Sequence, residues 1–162
     1  MTGERTDGGG VSDLVARAKS IATQAHEGTD DKAGAPYIAH PARVARRVAG
    51  HGEEFEAAAW LHDVMEDCEG WTAERLLARG MTPPVVEAVV SLTNRPGEEH
   101  EEAVRRACQD PIGMVVKASD VADNGDPERL AKLPDEQRTR LTAKYAHARE
   151  VLDELGAPRF DR

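Results

Sequence analysis

Apolar positions recur at helical spacing along most of the chain. Leu14, Val15, Ala18, Ile21, Ala22 and Ala25 mark one face of a first helix, with Ser12 as its N-cap. Turn formers then dominate residues 28–36, including the pair Asp30-Asp31. Pro41, directly after His40, suits the first turn of a second helix, where a missing N–H costs nothing. Val44, Ala45 and Val48 continue it, and Gly50 and Gly52 end it. A third helix is predicted from Glu54 to Cys68, and a short fourth from Thr72, stopped at Gly80. Pro83-Pro84 opens a fifth, with Val85, Val86, Val89, Val90 and Leu92 as its buried side. After a loop at 94–98 comes a polar helix, Glu99 to Cys108. Pro111 then precedes the apolar run Ile112 to Val116, which leads into Lys117 and Asp120. A charged amphipathic helix spans Pro134 to Leu155. Val115-Val116 is the single β-like spot and is too short for a strand. The pattern predicts an all-α bundle without internal repeats.

Composition narrows this further. At 162 residues the chain fits one domain with its own core. Residues 1–10, rich in Gly and charge, read as a disordered leader, leaving 11–158 as the domain. Aromatic residues are 4% of the chain while Ala, Val and Leu abound, which favours close-packed helices. No run of about 18 apolar residues and no signal-peptide core is present, so a cytoplasmic protein without a membrane partner is expected. A net charge of −9 argues against non-specific binding to DNA or RNA but leaves open a phosphorylated small molecule. Cys68 and Cys108 lack metal-ligand spacing and read as reduced thiols. Periodicity allows Val85 and Val89 to face a core or a second copy, so it defines no oligomeric state.

One segment is not explained by packing: LHDVMED, residues 61–67. On a continuous helix His62, Asp63, Glu66 and Asp67 would share an arc of roughly 140°, with Ala58, Leu61 and Met65 facing the core. Three carboxylates so placed repel one another unless a cation compensates them. Two ligands rarely hold a catalytic metal, so His62 and Asp63 need partners. His40, fixed at a helix start, and Asp120, at the end of an apolar run, are the candidates; Asp120 and Asp123 compete for the alternative role of an N-cap. A His, His, Asp, Asp set suits Mn²⁺, Fe²⁺ or Mg²⁺ better than structural zinc, with Mn²⁺ placed first. Of the other histidines, His51, His100 and His147 read as exposed, and His26 as structural, though near enough to face the site.

With these residues assembled, the chain resembles the HD superfamily of metal-dependent phosphohydrolases. More closely, it resembles the hydrolase domain of RelA/SpoT-type enzymes and the small alarmone hydrolases. The segments that carry the resemblance are AHEG (25–28), KAGAPYIAHP (32–41), AAAWLHDVMED (57–67) and VKASDVADN (116–124), in matching order and spacing. The resemblance implies an HD-type helical bundle in which His40, His62, Asp63 and Asp120 bind one divalent metal. It also implies that Glu66 and Asp67 act on the water nucleophile. Lys32 and Lys117 match positions that neutralise phosphates, and Asn124 and Tyr145 match positions near a nucleoside. Tyr145 is equally suited to anchoring the last helix. The implied reaction is release of pyrophosphate from the 3′ position of a guanosine alarmone, the partner being a small phosphorylated nucleotide.

The chain departs from the pattern in one loop. Where the family usually has Gln and an Arg-Lys pair, this sequence has Thr29 and Asp31-Lys32. Asp31 exchanges a bidentate phosphate donor for a carboxylate. Asn124 is followed by Gly-Asp-Pro rather than a basic turn, and no segment resembles a synthetase, ACT or TGS region. Metal chemistry is expected to be retained. The alternatives are a phosphohydrolase acting on another nucleotide or phosphoester, and a nucleotide sensor without turnover.

Overall fold

The computed structural model describes residues 12–160, so the expected leader lies outside the described residues. Helix α1 spans Asp13–Ala25 and buries Val15, Ala18, Ile21 and Ala22. The Ser12 hydroxyl accepts from the Val15 N–H at 3.2 Å, which meets one of the orphan donors of the first turn. Helix α2, Ala39–Val48, starts two residues before Pro41 and passes into a single 3-10 turn at Ala49–His51. Gly52, at φ +133°, then redirects the chain into α3, Glu53–Leu61.

The expected third helix is broken. It ends at Leu61, and a separate turn, α4, covers Val64–Asp67. His62 Nδ1 lies 2.7 Å from the Ala59 carbonyl oxygen, so its side chain closes the end of α3. Asp63, at φ −104° and ψ −3°, steps off the helical path. The shared 140° arc therefore does not exist; the four ionisable groups are arranged by a bend.

Helix α5 (Ala73–Ala78) is capped by the Thr72 hydroxyl, and α6 (Pro83–Leu92) buries Val85, Val86, Ala88, Val89 and Leu92. Val90, expected on that face, is 43% exposed. At 100° per residue it stands about 130° from the middle of the buried arc. Helices α7 (His100–Ala107), α8 (Pro111–Asn124), α9 (Pro127–Leu130) and α10 (Asp135–Glu154) follow. The β-like Val115-Val116 pair is helical.

Helix α3 is the hub of the main core, packed by α1, α2, α6 and α8. A second apolar cluster, with Val104, Val121, Ala148 and Leu152, joins α7, α8 and α10. Helix α8 thus lies between two cores and buries Lys117, Ser119, Asp120 and Asp123 among its apolar residues. Charge at that depth needs specific partners. Among the described residues no helix is long and apolar enough to cross a membrane.

Candidate metal centre

Three parts of the fold meet at one point. Helix α2 supplies His40, the α3–α4 bend supplies His62 and Asp63, and α8 supplies Asp120. His40 Nε2 lies 3.3 Å from His62 Nε2, 3.0 Å from Asp120 Oδ1 and 3.8 Å from Asp63 Oδ2. His62 Nε2 lies 3.1 Å from Asp63 Oδ2 and 3.3 Å from Asp120 Oδ1. Donor atoms that share an ion at roughly 2.0–2.2 Å stand about 3.0–3.5 Å apart. The donor set and its spacing therefore fit a divalent cation.

Tautomers support the same reading. Asp123 Oδ2 accepts from His40 Nδ1 at 2.6 Å, and the Ala59 carbonyl holds His62 Nδ1. With Nδ1 held by an acceptor, each imidazole would keep that proton and turn an Nε2 lone pair toward the centre once an ion is bound, as a metal-ligating histidine requires. Burial by itself would lower both imidazoles, yet the neighbouring carboxylates outweigh it and raise them, His62 most strongly. Burial would raise Asp63, but the adjacent His62 brings it down to about 2. Burial likewise opposes ionisation of Asp120, yet Lys117 and His62 hold it well below the usual carboxylate range. The pocket keeps its carboxylates charged and favours positive charge between them.

Both carboxylate ligand candidates are oriented from behind. Lys117 Nζ is 3.2 Å from Asp120 Oδ2, and Asn124 Nδ2 donates to Asp120 Oδ1 at 2.9 Å. The Tyr37 hydroxyl donates to Asp63 Oδ2 in a short hydrogen bond. Tyr37 in turn rests on His26, ring centroids 4.8 Å apart, and His26 is buried behind it.

Glu66 and Asp67 stand beside Asp63, and the three form a carboxylate group with oxygens within 4.8 Å of one another. Glu66 Oε1 accepts from the Asn94 N–H at 2.7 Å, which ties it to the loop after α6. Asp67 lies at the rim; partial burial and the charges of Asp63 and Glu66 push its carboxyl up to about 6.

These groups line one wall of a cleft of about 600 Å³. All four expected substrate contacts, Lys32, Lys117, Asn124 and Tyr145, also line it, although Lys117 and Asn124 are engaged with Asp120. His100 is half-buried in the same cleft rather than exposed, its ring edge-on to Tyr145 at 6.1 Å. His147 is exposed and paired with Glu101, as expected for a surface residue.

Asp123 was legible only as a competing cap, and its place is more central. It is fully buried and meets Arg43 Nε at 2.8 Å, Arg47 Nη1 at 3.0 Å and Arg129 Nη1 at 2.6 Å besides His40. Its position three residues after Asp120, on the same helix face, was the available signal. Tyr37 and the three arginines gave none that a single sequence reveals.

A model of the HD domain family matches residues 18–123, which include every residue of the centre. The chain belongs to the HD domain family. HD hydrolases bind a divalent metal, and a His-Asp cluster that could hold one is present here. Among its relatives is a probable guanosine-3′,5′-bis(diphosphate) 3′-pyrophosphohydrolase of Synechocystis, 45% identical over 92% of this chain and 20% of that protein. A guanosine-3′,5′-bis(diphosphate) 3′-pyrophosphohydrolase of Vibrio cholerae is 33% identical over 85% and 20%. A probable GTP pyrophosphokinase of Mycobacterium leprae is 32% identical over 86% and 18%. The chain spans about a fifth of the length of these relatives. A solved structure of a metazoan SpoT ortholog that hydrolyses ppGpp superposes with a TM-score of 0.66 at 22% identity, covering 89% of this chain and 94% of that one. It shares the HD fold.

Proposed function

We propose that this HD-family chain is a metal-dependent phosphohydrolase that releases pyrophosphate from the 3′ position of guanosine-3′,5′-bis(diphosphate). The observation that carries the proposal is the convergence of His40, His62, Asp63 and Asp120 on one point, with the Glu66–Asp67 pair beside it. Pyrophosphohydrolases among the relatives supply the substrate class. In this reading the four converging side chains hold the ion, with Mn²⁺ first and Fe²⁺ or Mg²⁺ also suited to the donor set. Bound there, the cation supplies Lewis acidity that acidifies water and polarises a phosphoryl oxygen.

The chain supplies the rest. Asp67 accepts the proton of the attacking water, and Glu66, anchored by Asn94, orients that water. Tyr37 fixes Asp63, while Lys117 and Asn124 fix Asp120, so the ligand oxygens need little reorganisation. Lys32 and Tyr145, which line the same cleft, would contact the phosphate and nucleoside portions of the substrate. Incubation with Mn²⁺ and guanosine tetraphosphate is expected to release pyrophosphate, and His62→Ala or Asp63→Asn to abolish the release. Absence of product across a broad nucleotide panel would overturn the proposal.

A second reading keeps the mechanism and changes the substrate to another phosphoester. It is favoured by the loop at 29–36. Asp31 Oδ1 accepts from the Ala33 and Ala35 N–H groups at 2.9 Å, so the position that carries a family Arg is a loop cap here. Inorganic phosphate in place of pyrophosphate as the product would decide for it.

A further inference from the structure

Asp31 removes a cation from the cleft, and the structure shows two guanidiniums that enter it from elsewhere. Arg43, on α2, and Arg129, on α9, both line the cleft. Both are partly exposed, at 31% and 27% of their side chains. Each is anchored from behind by fully buried Asp123. Arg43 uses Nε and Nη2, at 2.8 and 3.1 Å, which leaves Nη1 without a partner among the described residues. Arg129 uses Nη1, at 2.6 Å, and turns Nη2 toward Asp31 Oδ2 at 3.7 Å, too far for a hydrogen bond. Asp123 also holds Arg47, so three guanidiniums share one buried carboxylate. The three guanidiniums outnumber the one buried carboxylate they share, while Asp30, Asp31 and Asp126 line the same cleft. The carboxylates of the cleft beside the metal centre, Glu66 and Asp67, come from the bend before Cys68. The cleft therefore carries a cation-binding end and, on the α2–α9 side, a pair of pre-oriented guanidiniums.

We infer that Arg43 and Arg129 form an anion subsite for a phosphate group of the substrate other than the one that reacts, and that the facing charge of Asp31 weakens it by competing for Arg129. The proposal rests on reading the cleft as a nucleotide site, and it assigns specificity to residues outside the metal centre. Guanidiniums held by a carboxylate on one edge present their remaining N–H groups in a fixed direction, which suits phosphate. Asp31 is the competitor: its Oδ2 faces Arg129 while its Oδ1 caps the loop. Asp31→Asn keeps the Oδ1 cap and removes the competing charge. It is therefore expected to tighten anion binding, an effect that a merely structural role for Asp31 does not produce.

The test compares guanosine 5′-diphosphate with guanosine by calorimetric titration of the full Mn²⁺-loaded chain. The ratio of their affinities reports the diphosphate alone. Arg43→Gln and Arg129→Gln are each expected to lower that ratio about tenfold, the scale of one charge-assisted hydrogen bond, and Asp31→Asn to raise it several-fold. Guanosine affinity and Mn²⁺ affinity should hold in Arg43→Gln and Asp31→Asn, because the remaining arginines still support Asp123. A ratio that collapses in His62→Ala and holds in Arg43→Gln would put the diphosphate at the metal centre and overturn the inference. So would an unchanged or lower ratio in Asp31→Asn. The titration needs no turnover, so a chain that hydrolyses nothing but shows these shifts refutes the proposed reaction and leaves the subsite standing.

Discussion

The sharpest test of the centre is Asp123, which touches no substrate. Its carboxylate is fully buried and accepts from His40 Nδ1 at 2.6 Å while also pairing with Arg43, Arg47 and Arg129. Burial would raise its pKa, but these donors hold it below the usual carboxylate range. Asp123→Asn keeps shape and removes charge, and the amide then has two ways to sit. With its oxygen toward His40, its NH₂ faces guanidinium N–H groups, donor against donor. With its NH₂ toward His40, Nδ1 becomes the acceptor, the ring proton moves to Nε2, and the lone pair aimed at the metal is lost. Either arrangement weakens metal binding. Loss of a partner behind a ligating histidine typically lowers affinity 10–100-fold, about 1.4–2.7 kcal/mol. Asp123→Ala additionally strands three guanidiniums, and breaking a buried pair of this kind costs about 3–5 kcal/mol. Titration with Mn²⁺, followed by calorimetry, measures the first effect, and urea denaturation of the ion-free protein measures the second. An Asp123→Asn protein that binds Mn²⁺ as tightly as the parent would refute the argument that Asp123 sets the His40 tautomer.

Three further outcomes follow from single features. Burial, together with Lys117 and Lys144, lowers His100 to about 4, so its stabilising contribution is complete above pH 6.5 and is lost as pH falls toward 4. Denaturation at stepped pH should show that slope and His100→Gln should remove it; NMR titration of the ring near its ordinary value would contradict it. Asp67 is raised, so in the ion-free protein its protonated form contributes most below pH 3.8 and that contribution fades as pH passes about 6. Mn²⁺ should accordingly stabilise the protein more at pH 7 than at pH 5, and Asp67→Asn should narrow the difference; equal stabilisation at both would count against it. At Gly113 an added Cβ would meet the Ala107 carbonyl oxygen at 2.6 Å and also press on Ser91. Gly113→Ala should therefore destabilise by about 1–3 kcal/mol in a thermal melt, despite the better helix propensity of Ala, and a raised Tm would show that α8 can shift.

How far the sequence discloses this protein depends on how local the cause is. Ser12 and Thr72 mark helix starts because each hydroxyl bonds an N–H three residues on, a contact contained in one turn. Pro83 and Pro111 do the same through a missing donor. Candidate ligand types were legible for a related reason: an imidazole and carboxylates beside a buried stripe favour a cation whatever their rotation. Their arrangement was not. The break at His62-Asp63 comes from a side chain that bonds its own helix end and from Tyr37 pulling on Asp63 across the loop, and neither changes the periodicity of 54–68.

Asp31 shows the same limit with a consequence for function. Read by position, it is a loss of positive charge from a phosphate-binding loop. In the fold its second oxygen faces Arg129, itself tied to Asp123, which holds His40. The meaning of the substitution therefore belongs to a chain of contacts that links the loop at 29–36 to the candidate metal centre through α9. A carboxylate at residue 31 and guanidiniums at 43 and 129 together determine where an anion can bind in the cleft. Substrate choice would then be set by Arg43 and Arg129 as much as by the loop. That reasoning requires the loop and the two arginines to be non-additive. Asp31→Asn should tighten diphosphate binding in the parent and have little effect once Arg129→Gln is present, and equal gains in both backgrounds would break the link.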